Sequence, residues 1–300
     1  MSLELNLLHV LVAVADEGNF RAAADRLGVT RSAVSQAIRR LEDTCEVALV
    51  YRTTRSVSLT EAGAELVERV AGPLAEIQGA LEDTTAAQAG PVGVLRVAAT
   101  SIAERFLSGP LVAAFAEAYP KVTLDITVTD DEFDIVAAGF DAGVRLGHVI
   151  EQDMVAVPLT GEQREVVVAS PDYVARFGAP SHPRELPAHR CIGWRPSPRA
   201  APYRWEFEED GRAFDVAVEP QITTNDLRLM IRAAMAGAGI TFATEETFLP
   251  YIRRGELVTM LEEYLPTFSG FFLYFPSRKN TSAKLRALVE HVKHYRSTSM

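Results

Sequence analysis

Apolar residues recur at helical spacing near the start of the chain and predict three helices, over residues 5–15, 20–27 and 31–43. Gly28 lies between the second and third helices and has the permissive backbone that a sharp turn needs. Thr30 is a good N-cap residue for the third helix. The inward positions of that helix recur at i, i+4 and i+7: Val34, Ile38 and Leu41. The pattern therefore predicts a rigid two-helix corner with a polar outer face.

A short polar segment and a long helix are predicted to follow. Residues 51–58 are β-prone and predict a hairpin or wing, and Thr60 caps a helix that runs to about residue 88. Apolar residues step along this helix by 4, 4, 3 and 4 positions, which approximates a coiled-coil seam: Leu66, Val70, Leu74, Ile77 and Leu81. Either the helix packs on its own domain, or it pairs with a second copy of the chain. The second interpretation is favoured for a long helix between two domains.

Beyond a hinge at residues 86–91 the pattern alternates between strands and helices, which predicts an α/β sheet fold. The predicted strands lie at residues 93–99, 122–128, 141–146, 154–159, 164–169, 190–194, 203–207, 240–243 and 270–275. The predicted helices lie at residues 101–119, 133–139, 171–177, 225–237, 245–253 and 281–295. A late return strand in about 200 residues indicates two lobes and a cleft.

Charge is distributed unevenly along the chain. The net charge is −10, yet residues 1–60 hold seven arginines and seven acids and are balanced. Residues 31–55 hold five arginines against three acids, so the basic charge is concentrated in the predicted helix corner and wing. The outer face of the third helix carries donors for phosphates and base edges, which suits a major-groove reader. The predicted DNA-binding residues are Thr30, Arg31, Ser32, Ser35, Gln36 and Arg39, with Arg52, Thr53 and Arg55 on the wing.

Four motifs in order identify a family resemblance: Asn19-Phe20-x-x-Ala23-Ala24-x-x-Leu27, Ala33-Val34-Ser35-x-x-Ile38-x-x-Leu41-Glu42, Leu49-x-x-Arg52 and Leu59-Thr60-x-Ala62-Gly63. Over roughly residues 5–65 the chain resembles the N-terminal domain of LysR-type transcriptional regulators. It departs from the family at Cys45-Glu46, where relatives usually have Leu-Gly, and at Leu49-Val50, where they have Leu-Phe. A glycine at a helix end normally adopts the left-handed conformation, so Glu46 either adopts it too or the helix ends differently.

The second half is similar to the effector-binding part of the same family. This similarity rests on Phe115-x-x-x-Tyr119-Pro120-x-Val122-x-Leu124, on Asp141-Ala142-Gly143-Val144-Arg145, and on Ala236-Gly237-x-Gly239-Ile240 followed by Gly255-Glu256-Leu257-Val258. The resemblance implies an N-terminal all-α winged helix-turn-helix over residues 1–60, a linker and dimerisation helix with hinge over 60–90, and an effector domain over 91–300 that is two-lobed like a periplasmic binding protein. Its lobes would span about 91–165 plus 268–300, and 166–267.

The resemblance also implies partners. They are double-stranded operator DNA, a small-molecule effector, a second copy of the chain in a homodimer or dimer of dimers (a homotetramer), and RNA polymerase. No run of 18 apolar residues predicts a membrane span, and the N-terminus lacks signal-peptide features, so the expected location is the cytoplasm, without a membrane partner.

Polar residues at predicted helix starts are candidates for binding the effector. Thr100 and Ser101 follow a strand, and Thr224 and Asn225 open another helix, where free N–H groups would suit a small organic anion. Arg145, at the end of a strand, is a candidate to pair with that anion. Ordinary helix caps, and for Arg145 a salt bridge, are the alternative roles.

Other functional classes have weaker support. The chain has no catalytic, metal or cofactor-binding motif, so neither an enzyme nor a resident cofactor is expected. His291-x-x-His294 is more typical of a solvated pair than of a metal site. A redox-responsive regulator that uses Cys45 or Cys191, and a regulator that needs no effector, remain as alternatives.

Overall fold

The computed structural model describes residues 5–52, 57–130, 134–136, 138–277 and 281–299. The chain divides into two compact units. The first contains residues 1–93 with 133–141 and 278–286, and the second contains 94–132, 142–277 and 287–300. Within the described ranges, no helix combines the length and apolar composition needed to cross a lipid bilayer.

The first unit contains the predicted helix corner and wing. Its elements are α1 (Leu5–Glu17), α2 (Phe20–Leu27), α3 (Arg31–Cys45), β1 (Val50–Arg52), β2 (Val57–Leu59) and α4 (Glu61–Ala89). The strands β1 and β2 pair antiparallel and form the wing. Gly28 ends α2 in the left-handed conformation, at φ 64°, and the side chain of Thr30 caps α3. The sequence pattern therefore predicted this corner within two residues at each helix end.

The core of the first unit lies between α1, α2 and α3 and includes Leu8, Leu11, Val34, Ile38 and Leu41. Leu5 at the start of α1 is 49% exposed, whereas Ala13 and Val14 near its end are buried. Helix α1 therefore contacts the core along most of its length but not at its first residue.

The proposed seam of α4 is divided between two environments. Leu66, Val70 and Leu74 pack against the core of the first unit. Ile77, one turn further on, is 46% exposed. The side chain of Leu81 lies outside those described. The first half of the seam thus contacts its own domain, and the part left to face a second copy begins near Ile77.

Two residues fix the path of the chain between α3 and α4. Glu46 has φ 55° and ψ 27°, so α3 ends in the left-handed conformation even though a glutamate stands where glycine is preferred. At Gly63, a Cβ atom would lie 2.0 Å from the carbonyl oxygen of Leu49. Only glycine permits this close approach of α4 to the chain entering the wing.

Two sheets form the second unit. The first sheet has the strand order β4-β3-β5-β15-β6. The second has the order β11-β8-β12-β7-β13, with β14 also paired to β7, and a separate hairpin joins β9 and β10. Strand β3 pairs parallel with β5, whereas β15 pairs antiparallel with both β5 and β6. The strands are β3 (Gly93–Ala99), β4 (Val122–Val128), β5 (Ala142–Leu146), β6 (Met154–Pro158), β7 (Gln163–Ala169), β8 (Cys191–Trp194), β9 (Trp205–Glu209), β10 (Arg212–Val216), β11 (Ile222–Thr224), β12 (Ile240–Thr244), β13 (Val258–Met260), β14 (Thr267–Phe268) and β15 (Phe271–Pro276).

The helices of the second half are α5 (Gly109–Ala118), α6 (Pro171–Phe177), α7 (Leu227–Met235), α8 (Glu245–Arg253) and α9 (Ala283–Ser299). The helix expected over 101–119 is wrong in its first half, which contains a turn and a short 3-10 helix over Glu104–Phe106. Ser108 then caps α5, where its side chain accepts a hydrogen bond from the N–H of Leu111. Of the helix expected over 133–139, residues 133 and 137 lie outside the described residues, and the described residues 135–136 and 138–139 form turns instead.

Candidate functional site

Helix α3 presents an exposed polar face on which three side chains have no partner among the described residues. Arg31, Gln36 and Arg39 are exposed, and none makes a hydrogen bond or ion pair to another described residue. Ser32 is exposed and its hydroxyl lies 2.9 Å from that of Thr30, whereas Ser35 is partly buried. Thr30 accepts a hydrogen bond from the N–H of Ala33, so its first task is to cap the helix. The free donors of α3 can therefore reach a ligand without losing an internal contact.

The wing is attached to α3 through a residue that the sequence analysis did not select. The Oε1 atom of Glu42 accepts hydrogen bonds from the N–H groups of Leu49, at 3.0 Å, and Val50, at 3.3 Å. Thr60 adds a second link, because its hydroxyl donates to the carbonyl of Ala48 at 2.7 Å. These contacts hold the entry of the wing against the end of α3.

The wing residues chosen from the sequence lie at the edge of the described region. Arg52 ends β1, although its side chain lies outside those described, and Thr53 and Arg55 lie outside the described residues altogether. Tyr51 on β1 is 62% exposed, and its aromatic ring could have marked it as a contact residue. Of the remaining arginines, Arg26 forms ion pairs with Asp16 at 2.7 Å and Glu17 at 3.4 Å, so its charge is already balanced.

A cleft in the second unit is lined from both sheets. Its empty volume, open solvent included, is about 510 Å³. The chain around β5 and β15 contributes part of the lining, and the side of β7, β8 and β12 contributes the rest. The lining residues are Ile102, Leu146, Glu165, Trp194, Tyr203, Leu227, Phe242, Ala243, Thr244, Thr247, Phe268 and Phe271.

Thr100 and Ser101 lie beside this cleft. An anion site would need their N–H and hydroxyl groups to be free, but those of Ser101 are already hydrogen-bonded. The N–H of Ser101 donates to Oδ1 of Asp130 at 2.7 Å, and its hydroxyl accepts from Nε1 of Trp194 at 3.2 Å. The hydroxyl of Thr100 is buried and has no hydrogen-bond partner among the described residues. The Ser101 N–H that the anion hypothesis needed is therefore bonded to one of the protein's own carboxylates.

The start of α7 is capped in the same way. The helix begins at Leu227, and the carboxylate of Asp226 accepts from the N–H groups of Arg228, at 2.8 Å, and Leu229, at 3.1 Å. Thr224 accepts from the N–H of Asp226, and Asn225 is exposed. This acidic cap fills the helix start that Thr224 and Asn225 were expected to offer to an anion.

Arg145 lies away from the cleft lining. Its guanidinium carbon is 5.7 Å from the ring centroid of Tyr274. Successive residues of a strand point to opposite faces, and it is the next residue, Leu146, that lines the cleft. Asp130 and Asp226 already accept hydrogen bonds from the N–H of Ser101 and the start of α7, so these N–H groups and Arg145 are not free contacts for a small anion in the cleft.

Glu165 is the ionisable group of the cleft that the sequence analysis missed. It lies on β7 opposite Thr244 and is partly buried. Its carboxylate has no hydrogen-bond or ion-pair partner among the described residues. Burial, with a smaller contribution from the charge of Glu206, raises the pKa of Glu165 to about 8. Its position in a strand of mainly apolar residues did not indicate that its carboxyl group would line a cleft.

The alternative chemistries find little support in these positions. Cys191 is buried, its thiol faces the carbonyl of Leu186, and burial raises the pKa of that thiol to about 12, which disfavours a reactive thiolate. Cys45 is exposed at the end of α3. His291 lies 3.1 Å from the carbonyl of Leu111 and packs against Phe115, as a structural residue does.

Comparison with known families divides the chain in two. The family described as bacterial regulatory helix-turn-helix protein, lysR family, matches residues 5–64. The family described as LysR substrate binding domain matches residues 88–297. The first match contains the α1 to α3 corner and the wing, and the second contains both sheets and the cleft.

Individual relatives extend over nearly the whole chain. The HTH-type transcriptional regulator YcaN of Escherichia coli is 37% identical over 98% of this chain and 96% of its own length. The HTH-type transcriptional regulator PgrR of Escherichia coli is 31% identical over 97% of each chain. Among solved structures, the LysR-type regulator CrgA of Neisseria meningitidis has a TM-score of 0.59 and 29% identity over 98% of this chain and 99% of its own. The chain therefore belongs to the LysR family of bacterial transcriptional regulators.

Proposed function

We propose that α3 reads operator DNA in the major groove and that a small molecule in the cleft controls the response. Arg31, Ser32, Ser35, Gln36 and Arg39 would contact bases and phosphates, with Thr30 at the helix start. Arg52, Thr53 and Arg55 would contact the DNA backbone or minor groove from the wing. The observation that carries this assignment is the exposed face of α3, where Arg31, Gln36 and Arg39 keep their donors free among the described residues.

The same proposal extends to the oligomeric state, the cellular location and the domain boundaries of the chain. The chain would act in the cytoplasm as a homodimer or dimer of dimers, without enzymatic activity, and would contact RNA polymerase at promoters. Its domains would follow the boundaries 1–60, 60–90 and 91–300. The exposed Ile77 supports a contact between copies along α4.

A redox-responsive regulator is the second candidate function, and the exposure of Cys45 at the end of α3 is the observation in its favour. Cys45→Ser would abolish an oxidant response of DNA binding if this candidate were correct. The buried Cys191 offers no comparable route.

The test of DNA reading compares a specific and a random duplex. The specific duplex is one enriched by the wild-type protein from a random library, and the second has the same composition in scrambled order. Gln36→Ala should lose about 1–3 kcal/mol on the specific duplex and little on the scrambled one, because base contacts carry discrimination. Arg39→Ala should in addition lower the salt dependence of binding to both duplexes, since each phosphate contact releases counterions.

Two exposed residues outside α3 serve as controls: Gln152→Ala for the amide and Arg253→Ala for the charge. Neither should change affinity for either duplex. Equal losses on both duplexes for Gln36→Ala would contradict its role in base reading, and a loss in Arg253→Ala would show that any arginine contributes.

A further inference from the structure

We propose that the cleft binds an effector that joins an apolar, aromatic body to a protonated amine, with Glu165 as the counter-ion of that amine. The proposal rests on the effector-responsive function proposed above and names the chemical class that the cleft selects. It replaces the small organic anion that the sequence suggested.

The lining first indicates an apolar ligand body. Five aromatic rings surround the space, and four of them belong to Trp194, Tyr203, Phe268 and Phe271. The fifth, Phe242, is buried and lies under Tyr203, with 6.4 Å between the ring centroids. The indole of Trp194 is held in place by its hydrogen bond to Ser101. Such fixed rings favour an apolar or aromatic group and also attract a cation to their faces.

The charge of the lining then indicates a cation. Among the lining side chains, none is basic, and Glu165 is the one carboxylate. The nearest arginine in the sequence, Arg164, is already held by Glu245 through two hydrogen bonds, of 2.8 and 2.5 Å. Alternation along β7 places the side chains of Arg164 and Glu165 on opposite faces of the strand. A carboxylate ligand would meet Glu165 without a compensating positive charge.

A bound cation would offset the unfavourable free energy of a negative charge on the buried carboxyl of Glu165. The charged form of the carboxyl is disfavoured both by desolvation and by Glu206, which is why its pKa is raised. A protonated amine beside it would reverse this effect, and Glu165 would lose its proton as the amine binds. The other titratable groups near Glu165 are Tyr203, whose pKa is raised by burial, and the Arg164–Glu245 ion pair. Since both stay in one charge state near neutral pH, the released proton would come from Glu165.

The experiment uses the full chain and three probes that share one body: 3-phenylpropylamine, 3-phenylpropanol and 3-phenylpropanoate. Calorimetric titration at pH 7 should give tightest binding for the amine, weaker binding for the alcohol and the weakest for the carboxylate. The amine should exceed the carboxylate by at least about tenfold in affinity. Titration in two buffers of different ionisation enthalpy should show protons released with the amine and none with the alcohol.

Two variants assign the effect to Glu165. Glu165→Gln should lower amine affinity by about tenfold, abolish proton release and leave alcohol affinity unchanged. Glu208→Gln, an exposed acid on β9 outside the lining, should behave like the wild type. Glu165→Asp keeps the carboxyl group and should retain proton release, which provides a second measurement if the glutamine variant folds poorly.

The possible outcomes distinguish failure of this ligand assignment from failure of the proposed DNA-reading function. Equal or tighter binding of the carboxylate, or amine binding that survives Glu165→Gln unchanged, would overturn the assignment of the ligand class. Binding of the alcohol but not the amine would keep the cleft as a ligand site and reject the ion pair. Absence of binding by all three probes would reject the class, while DNA reading by Gln36 is measured separately and would stand.

Discussion

At the residue scale, two neighbouring acids at the end of α3 occupy different environments. Glu42 is partly buried and accepts hydrogen bonds from the N–H groups of Leu49 and Val50. Asp43 is exposed and makes no such contact with the described residues. Both carry the charge that DNA repels, so charge alone would assign them the same effect. The two hydrogen bonds give Glu42 a structural role in attaching the wing, which Asp43 lacks among the described residues.

This contrast gives a prediction for DNA binding. Glu42→Ala should weaken binding to every duplex, because two backbone donors lose their acceptor, at about 1–3 kcal/mol, and the wing loses its link to α3. Asp43→Ala should tighten binding slightly, because it only removes a like charge near phosphate. Fluorescence anisotropy with one labelled duplex at fixed salt measures both. If Glu42→Ala also tightened binding, the charge would outweigh the link and the positioning role would be wrong.

The backbone conformation at Glu46 could be narrowed to two possibilities from the sequence alone. Because Glu46 stands where relatives have glycine, either it adopts the left-handed conformation or α3 ends differently. Its φ of 55° shows that it adopts the left-handed conformation. A non-glycine residue carries strain there, of roughly 1 kcal/mol. Glu165 is the opposite case. The residues that follow Glu165 in β7 are apolar, and its chemistry arises from burial and from Glu206, a residue on another strand, which no local pattern contains.

At the element scale, the sequence succeeded where a helix has local start and stop signals. Helix α6 begins at Pro171 after the capping Ser170, and α3 begins after Thr30, as predicted. The helix expected from residue 101 failed because Ser108 is also a cap and Pro110 suits the first helical turn, so the helix begins there. Strand β10 was missed, although Asp210-Gly211 at its turn is a hairpin signal.

Helix α4 carries the prediction on assembly. Leu66 packs on the core of its own domain, whereas Ile77 on the same helix is 46% exposed. Ile77→Asp should therefore break the contact between copies by placing an unpaired charge there, with little change in melting temperature of the DNA-binding domain. Light scattering with size-exclusion chromatography measures the mass, and calorimetry measures the melting.

The matched variant is Leu66→Asp, which makes the same chemical change where the helix packs internally. It should lower the melting temperature of the DNA-binding domain, because it buries a charge against an apolar core. An unchanged mass for Ile77→Asp would show that the copies meet at another surface and that α4 is not the seam.

At the scale of the whole molecule, the two candidate sites differed in how far the sequence could specify them. The DNA-reading face is local: its residues share one helix, so spacing alone brings Arg31, Gln36 and Arg39 together. The cleft is assembled from segments as distant as Ile102 and Phe271, and its charge depends on which side chains meet there. The predicted residues Thr100 and Ser101 lie beside the cleft. The carboxylates of Asp130 and Asp226, however, already accept hydrogen bonds from N–H groups that the sequence assigned to an effector.

The proposed function makes a quantitative demand on how the cleft and the DNA-reading helix communicate. If an amine in the cleft changes DNA affinity by some factor, DNA must change amine affinity by the same factor, because the coupling free energy belongs to both equilibria. A factor of about 5–150 is typical of such coupling. Titrating DNA at saturating and zero 3-phenylpropylamine, and then the amine with and without DNA, should give equal ratios. At an amine concentration that saturates the wild type, Glu165→Gln should move the DNA-affinity ratio toward one, because the variant is only partly occupied, whereas Glu208→Gln should leave that ratio unchanged. Amine binding that leaves DNA affinity unchanged would mean that the cleft is occupied without controlling the helix, and the effector-responsive part of the function would then be wrong.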